Sequence, residues 1–395
     1  MIAVAEALEF ILKQQRDYGI EEADLLQSTG RILATDIKAD RDYPAFDRVM
    51  MDGIAINTRA FESNINEFVI QSIQAAGDEP AVLNGIQNCI EIMTGAVLPA
   101  NCDAVVPYEE LTIAGNTAII KATSIKQFQN VHKKGSDGVQ DTVLLNANTK
   151  MTAAHAGILA SVGAGRVPVK RLPSTVVCST GNELVEIDEQ PLPHQLRMSN
   201  LYMLAALLKK DNITASLHHI PDDEAAMTST LTALIAQHEV VILSGAVSKG
   251  KFDYLPGVLK SLGMRTIFHR IAQRPGKPML FGECPNGTLI FGFPGNPMST
   301  FVCYQVYFKA WLYQSQQYNA PLTIARLGKT VTFTPNLSYH LPVFLLNEGG
   351  LVKAIPVPGN NSGDIPSLAV VEGLVTLPPE KSIFEEGITV NVTLC

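Results

Sequence analysis

Four short loops carry most of the residues that could do chemistry in this sequence. Ser179-Thr180-Gly181-Asn182-Glu183 follows one apolar run, and Pro221-Asp222-Asp223 follows another. A third loop runs from Ser244 and Gly245 through Ser248, Lys249, Gly250 and Lys251 to Asp253, and the fourth is Pro294-Gly295-Asn296-Pro297. A glycine-bearing loop between a buried strand and a helix start offers bare amides and a helix dipole, the arrangement that holds an anion. The P-loop pattern G-x-x-x-x-G-K-[ST] is absent. In the fourth loop Asn296 is a natural N-cap and Pro297 a natural first helical residue, so its amides face outward. Carboxylates such as Glu183, Asp222 and Asp253 repel a neighbouring anion unless a cation mediates, and hard oxygen donors with phosphate suggest Mg²⁺. Arg274-Pro275-Gly276-Lys277-Pro278 adds two cations if its loop turns to the same side. Asp222 or Asp223 taken singly reads more readily as a helix cap; the set as a whole reads as a site.

These loops meet only if the intervening elements bring them together. Residues 240–243 form a short apolar run typical of a strand covered on both faces. Around it the pattern alternates: strands over 175–178, 213–218 and 265–271, and helices over 200–210, 223–237 and 254–262, with Asp253 as the cap of the last. A hairpin over 278–282 and 288–293 precedes a helix over 298–312. Such alternation predicts a mainly parallel sheet with helices on both faces, whose strand C-termini gather along one ligand-binding edge.

The flanks read differently. Residues 1–38 suggest helix, first an amphipathic one using Val4, Leu8, Ile11 and Leu12, then a segment opened by Glu21, Glu22 and Asp24 and ended by Gly30. Residues 40–137 have β texture, with a hairpin turning at Gly115-Asn116, and they contain two unusual loops, 44–53 around Asp52 and 94–99 opening with Thr94. After about 319 the alternation stops and short strands suggest a small all-β domain. The 30 basic and 38 acidic residues give a net charge of −8, which speaks against a nucleic-acid binder. Six scattered cysteines without C-x-x-C fit reduced thiols in a cytoplasmic enzyme rather than structural zinc. No apolar run approaches the ~18 residues of a membrane span.

An ordered set of motifs resembles the molybdopterin molybdenumtransferases, the MoeA proteins and the related C-terminal region of gephyrin. It comprises R-V-M-M-D-G-I-A (48–55), T-G-A-V-L-P (94–99), C-D-A-V-V-P-Y-E (102–109) and S-T-G-N-E-L (179–184). It continues with S-G-A-V-S-K-G-K-F-D-Y (244–254), R-P-G-K-P (274–278), G-F-P-G-N-P-M-S (292–299) and S-G-D-I-P-S-L (362–368). The resemblance implies a multidomain α/β and β protein in four parts. A central three-layer α/β molybdopterin-binding domain takes 1–14 and 171–318, and a small linking helical/β domain takes 15–39 and 138–170. An inserted β-rich domain takes 40–137, and a barrel-like C-terminal β domain takes 319–395.

The resemblance also implies the reaction: adenylylated molybdopterin is bound, its adenylyl bond is hydrolysed with a divalent metal, and molybdate is inserted with release of AMP. Asp52, Glu183, Asp222 and Asp253 then fall on catalytic positions, the last three as ligands of Mg²⁺ or another divalent metal. Thr94, Ser179, Thr180, Gly181, Ser244, Gly245, Ser248, Lys249 and Pro294 to Pro297 fall on substrate positions, and Arg274 and Lys277 would attract molybdate. A homodimer with shared active sites is implied, served by small-molecule substrates, with a molybdopterin adenylyltransferase or recipient molybdoenzymes as protein partners and no nucleic acid or membrane. The sequence departs from the family where Val49, Ile54, Asn182, Met198 and Ala246 stand in place of serine, tyrosine, aspartate, aspartate and glycine. A paralogue that binds molybdopterin without efficient insertion, and a molybdopterin adenylyltransferase, are the competing readings.

Overall fold

Strand formers without charge make residues 240–244 a strand, and burial on both faces places it mid-sheet. In a computed structural model, which describes residues 1–245, 254–359 and 362–395, Val240–Ser244 lies between Thr175–Thr180 and Leu289–Phe293, parallel to both. Ser216–Ile220 extends the parallel set at one edge, and Leu280–Glu283 and Arg265–His269 complete the sheet antiparallel at the other. Successive side chains on a strand point to opposite faces. Val177, Val240, Ile242 and Phe291 pack with residues of helices Val4–Leu12 and Ser199–Lys210, while Val176, Cys178, Val241, Leu243 and Ile290 pack with those of Glu224–Gln237 and Leu255–Ser261. This is the three-layer arrangement expected from the alternation. The register pairs Ser179 with Ser244 and Ser244 with Phe293, so the three central strands end level and their loops leave from one edge.

Beyond this sheet, Thr323–Leu327, Ser338–Glu348, Leu351–Pro356, Gly373–Leu377 and Thr389–Leu394 pair around a ring. Ser338–Glu348 meets Leu351–Pro356 on one side and Gly373–Leu377 on the other, closing a barrel with no open edge. Leu341, Val343, Val375 and Val392 fill it. Its hairpin turns at Gly349 and Gly350, both at positive φ (+58° and +78°), which glycine adopts freely.

Residues 35–147 and 153–166 form a separate compact unit. Its sheet runs in the order Ala104–Pro107, Gly53–Ile56, Asn88–Ile92, Glu67–Gln74, Thr117–Ile120, Leu111–Ala114. The last two strands are the hairpin expected at Gly115-Asn116, with Ala114 opposite Thr117.

Three expectations need correction. Glu21, Glu22 and Asp24 stand in a strand, Ile20–Asp24, with only Ala23 buried, because sheet pairing overrides the helix propensity of glutamate. The strand expected over 213–218 is Ser216–Ile220. The helix expected over 298–312 is Pro297–Cys303 followed by a π turn, Tyr304–Phe308, and Lys309–Ser315. Among the described residues no helix is long and apolar enough to cross a membrane.

Candidate functional site

The strand ends open into a cleft of about 840 Å³. Ser179, Thr180, Gly181 and Glu183 line it from the first loop, Asp222 from the second, Ser244 and Gly245 from the third, and Pro294 to Pro297 from the fourth. Four loops distant in sequence therefore share one cavity. Ser248, Lys249, Asp253 and Ala246 lie outside the described residues.

Backbone shape fixes two of these loops. Gly245 has φ +105°, and a Cβ there would fall 2.7 Å from Thr180 Oγ1 and 2.8 Å from the Thr180 carbonyl. Only glycine lets the two strand ends approach this closely. Gly181 has φ +137°, and a Cβ there would fall 2.6 Å from Glu183 Oε2, so the glutamate carboxylate folds back over the glycine.

The two adjacent aspartates divide their roles. Asp223 Oδ1 accepts from the Ala226 amide at 2.8 Å and caps helix Glu224–Gln237. Asp222 faces the cleft instead. Its amide donates to Asn182 Oδ1 at 3.0 Å, and its Oδ2 accepts from the Asn182 amide at 3.3 Å. Asn182 thus anchors Asp222 without charge, whereas an ionised aspartate there would accept the same bond but set a second negative charge beside it. Neither Glu183 nor Asp222 forms a salt bridge among the described residues. No group of three or more His, Cys, Asp or Glu side chains among those residues could hold a metal; a third carboxylate would have to come from Asp253.

Helix Ser199–Lys210 supplies what the sequence reading missed. Ser199, Asn200 and Leu201 line the cleft with the helix N-terminus. Asn200 Nδ2 donates to Ser244 Oγ at 3.0 Å and to the Gly295 carbonyl at 2.7 Å, joining the third and fourth loops. Its Oδ1 and Thr180 Oγ1 are buried and have no hydrogen-bond partner among the described residues. Buried polar atoms left unpaired at a cleft are costly unless a ligand completes them. An asparagine in a first helical turn was the signal available. Met198, at the N-cap position, makes no side-chain cap; it is buried, and its sulfur accepts from Ser179 Oγ at 3.2 Å, where Ser179 also meets His219 Nδ1 at 3.1 Å. With methionine at this position the helix N-terminus carries no competing negative charge from its N-cap residue.

Asn296 differs from expectation. It occupies the N-cap position, yet its side chain makes no cap; Nδ2 donates to Ser362 Oγ at 2.8 Å, and the Met298 amide donates to the Ser362 carbonyl at 3.2 Å. This brings Gly363 and Ile365, from the S-G-D-I-P-S-L motif, to the cleft wall. Arg274 and Lys277 do not line the cavity; they stand exposed on a turn whose next residue, Pro278, does.

In the separate unit Asp52 and Thr94 are direct partners. The Thr94 amide and hydroxyl donate to Asp52 Oδ1 at 2.6 and 2.7 Å, and these bonds hold the carboxyl below the usual carboxylate range. Val49 and Ile54 are buried core residues, 1% and 0% exposed, so both departures exchange a polar side chain for packing.

Comparison with known proteins agrees with this architecture. The chain matches the MoeA N-terminal region (domain I and II) over residues 2–163, a probable molybdopterin binding domain over 176–314 and the MoeA C-terminal region (domain IV) over 325–395. It is 40% identical to a molybdopterin molybdenumtransferase of Synechocystis over 98% of both chains, and 31% identical to that of Bacillus subtilis over 100% of this chain and 94% of the other. The structure of a molybdopterin biosynthesis MoeA protein from Pyrococcus horikoshii superposes with a TM-score of 0.83 at 28% identity, covering 100% of this chain and 99% of that one. This chain belongs to the MoeA family of molybdopterin molybdenumtransferases.

Proposed function

We propose that this chain inserts molybdate into adenylylated molybdopterin and releases AMP, in the biosynthesis of the molybdenum cofactor. The observation that carries the reading is the convergence, among the described residues, of four strand-end loops, two carboxylates and two buried polar atoms without a hydrogen-bond partner on one cleft. The Gly245 amide is taken by the Phe293 carbonyl at 3.1 Å; the amide of Gly295 and the start of helix Ser199–Lys210 suit phosphate oxygens, and Ser179, Thr180 and Ser244 supply hydroxyls. Thr180 Oγ1 and Asn200 Oδ1 offer unused acceptors to the donor edge of a pterin.

The donor set fits a magnesium ion: Glu183 and Asp222 offer hard oxygens free of ion pairs among the described residues, and Asp253 would join them. When bound, such an ion neutralises charge on the phosphates. Asp222, held by Asn182, orients water at the phosphoanhydride, and the cleft amides stabilise the oxygens on which charge develops. Arg274 and Lys277 attract molybdate from the rim, and Asp52 with Thr94 serves the same reaction.

The four-part division into 1–14 with 171–318, 15–39 with 138–170, 40–137 and 319–395 belongs to this reading, as do a cytoplasmic location and a homodimer with shared active sites. The matched regions over 176–314 and 325–395 are consistent with the boundaries near 171 and 319, whereas the compact units divide 15–39 with 138–170 between them. A molybdopterin adenylyltransferase is the natural donor of the substrate. The test is AMP release from adenylylated molybdopterin by the purified chain with magnesium. A saturable rise with molybdate supports the reading, while tight binding with no molybdate-dependent release identifies a binding paralogue. Pyrophosphate release from ATP identifies an adenylyltransferase.

A further inference from the structure

The turn that carries Arg274 and Lys277 is built on a buried amide. Gln273 is 1% exposed, and its Nε2 donates to the Gly276 carbonyl at 3.2 Å, across the turn on which both cations stand. Its Oε1 accepts from the Tyr307 hydroxyl and from His340 Nε2, the latter at 3.1 Å. A carboxamide oxygen only accepts, so the His340 proton sits on Nε2, and Nδ1 accepts from Thr376 Oγ1 at 3.0 Å. Burial pushes the His340 ring down to about 4, so it is neutral in this role.

The Gly276 carbonyl, which can only accept, sets the orientation: flipping the Gln273 amide would turn its oxygen against that carbonyl. Gly276 has φ +89°, and a Cβ there would fall 2.7 Å from Gln273 Nε2 and 2.8 Å from Cys303 Sγ; glycine lets the turn close onto the amide. The partners come from distant elements: Tyr307 from the π turn, His340 and Thr376 from two barrel strands. The backbone follows the same route, since Gln273 pairs with Ser338 of the barrel and the Ile271 amide donates to the Lys277 carbonyl at 2.9 Å.

We propose that Gln273 is a positioning residue for oxyanion capture: by holding the Gly276 carbonyl it sets Arg274 and Lys277, and Tyr307 and His340 lock it in place. The C-terminal barrel thereby governs how tightly a tetrahedral oxyanion is held. This rests on the reading of Arg274 and Lys277 as the cations that attract molybdate.

Calorimetric titration of molybdate into the full chain tests it without requiring turnover. Gln273→Leu weakens molybdate binding about tenfold, as expected when a buried carbonyl loses its donor, with affinity for adenylylated molybdopterin unchanged. Lys277→Gln weakens it separately, and the double variant loses less than the two combined, because Gln273 acts through that turn. Tyr307→Phe, which removes one donor and keeps the ring, gives a weaker loss in the same direction and serves if Gln273→Leu does not fold. Full molybdate affinity in either folded variant, independent effects in the double variant, or a wild type that binds no molybdate overturns the proposal. AMP release measured on the same samples separates the two readings: molybdate binding that depends on Gln273 without AMP release refutes the proposed reaction and supports the role of the turn.

Discussion

At the scale of single residues, neighbours of like charge have different tasks. Asp223 spends its carboxylate on a helix amide, whereas Asp222 is tied to Asn182 and turned to the cleft. Asp222→Asn is expected to lower kcat by about 100-fold, the size of losing a positioned electrostatic group, with little change in Tm. Asp223→Ala should do the opposite, costing about 1 kcal/mol as a lost cap and leaving kcat near wild type; steady-state AMP release and thermal melts measure both. Asp52 makes a pH prediction. Its folded pKa is depressed by the Thr94 hydroxyl and amide, so its contribution to stability is present above the unfolded carboxylate value of about 4 and is lost as pH falls through the lower folded value. Thr94→Val should raise the Asp52 pKa in an NMR carboxyl titration; an unmoved value would remove the Thr94 hydroxyl as a cause. The sequence made Glu183 and Thr180 legible because glycine and hydroxyls beside an apolar run mark a strand-end loop, and Asp222 because the Pro221-Asp222-Asp223 turn separates a strand from a helix. Asn200 escaped because a polar residue in a first helical turn looks like surface, and its two partners lie 44 and 95 positions away.

At the scale of elements, the uncharged run at 240–244 decided most of the α/β domain, since a strand covered on both faces can sit only inside a layered sheet. Leu243 is fully buried under helices Glu224–Gln237 and Leu255–Ser261, and Leu243→Ala should cost about 2–5 kcal/mol, read from denaturant unfolding. Gly245→Ala should behave differently. Its strain and its clash with Thr180 fall at the cleft mouth, so ligand affinity drops more than global stability does. Boundaries fared worse where tertiary partners outweigh local preference. Ile20–Asp24 carries helix-favouring glutamates yet pairs as a strand, and the Asn296 side chain leaves its capping duty for Ser362. Neither diversion leaves a periodic trace in the sequence.

For the whole molecule, the layered domain and the closed barrel are joined through side chains that no local pattern reveals. Gln273, Tyr307 and His340 come from three elements, and the barrel ring itself depends on pairing between Ser338–Glu348 and Gly373–Leu377. The β texture of the terminal region was readable from short strands and turn glycines; closure was not, since it is a property of strand order. The central claim is that the edge where four parallel strands end is where the substrate sits. A crystal structure of the chain with adenylylated molybdopterin tests it most directly. The account predicts phosphate oxygens about 3 Å from the Gly295 amide and the first amides of helix Ser199–Lys210, with Asp222 facing the phosphoanhydride and Thr180 Oγ1 satisfied. Ligand density anywhere else on the molecule, with this cleft left to solvent, would contradict it.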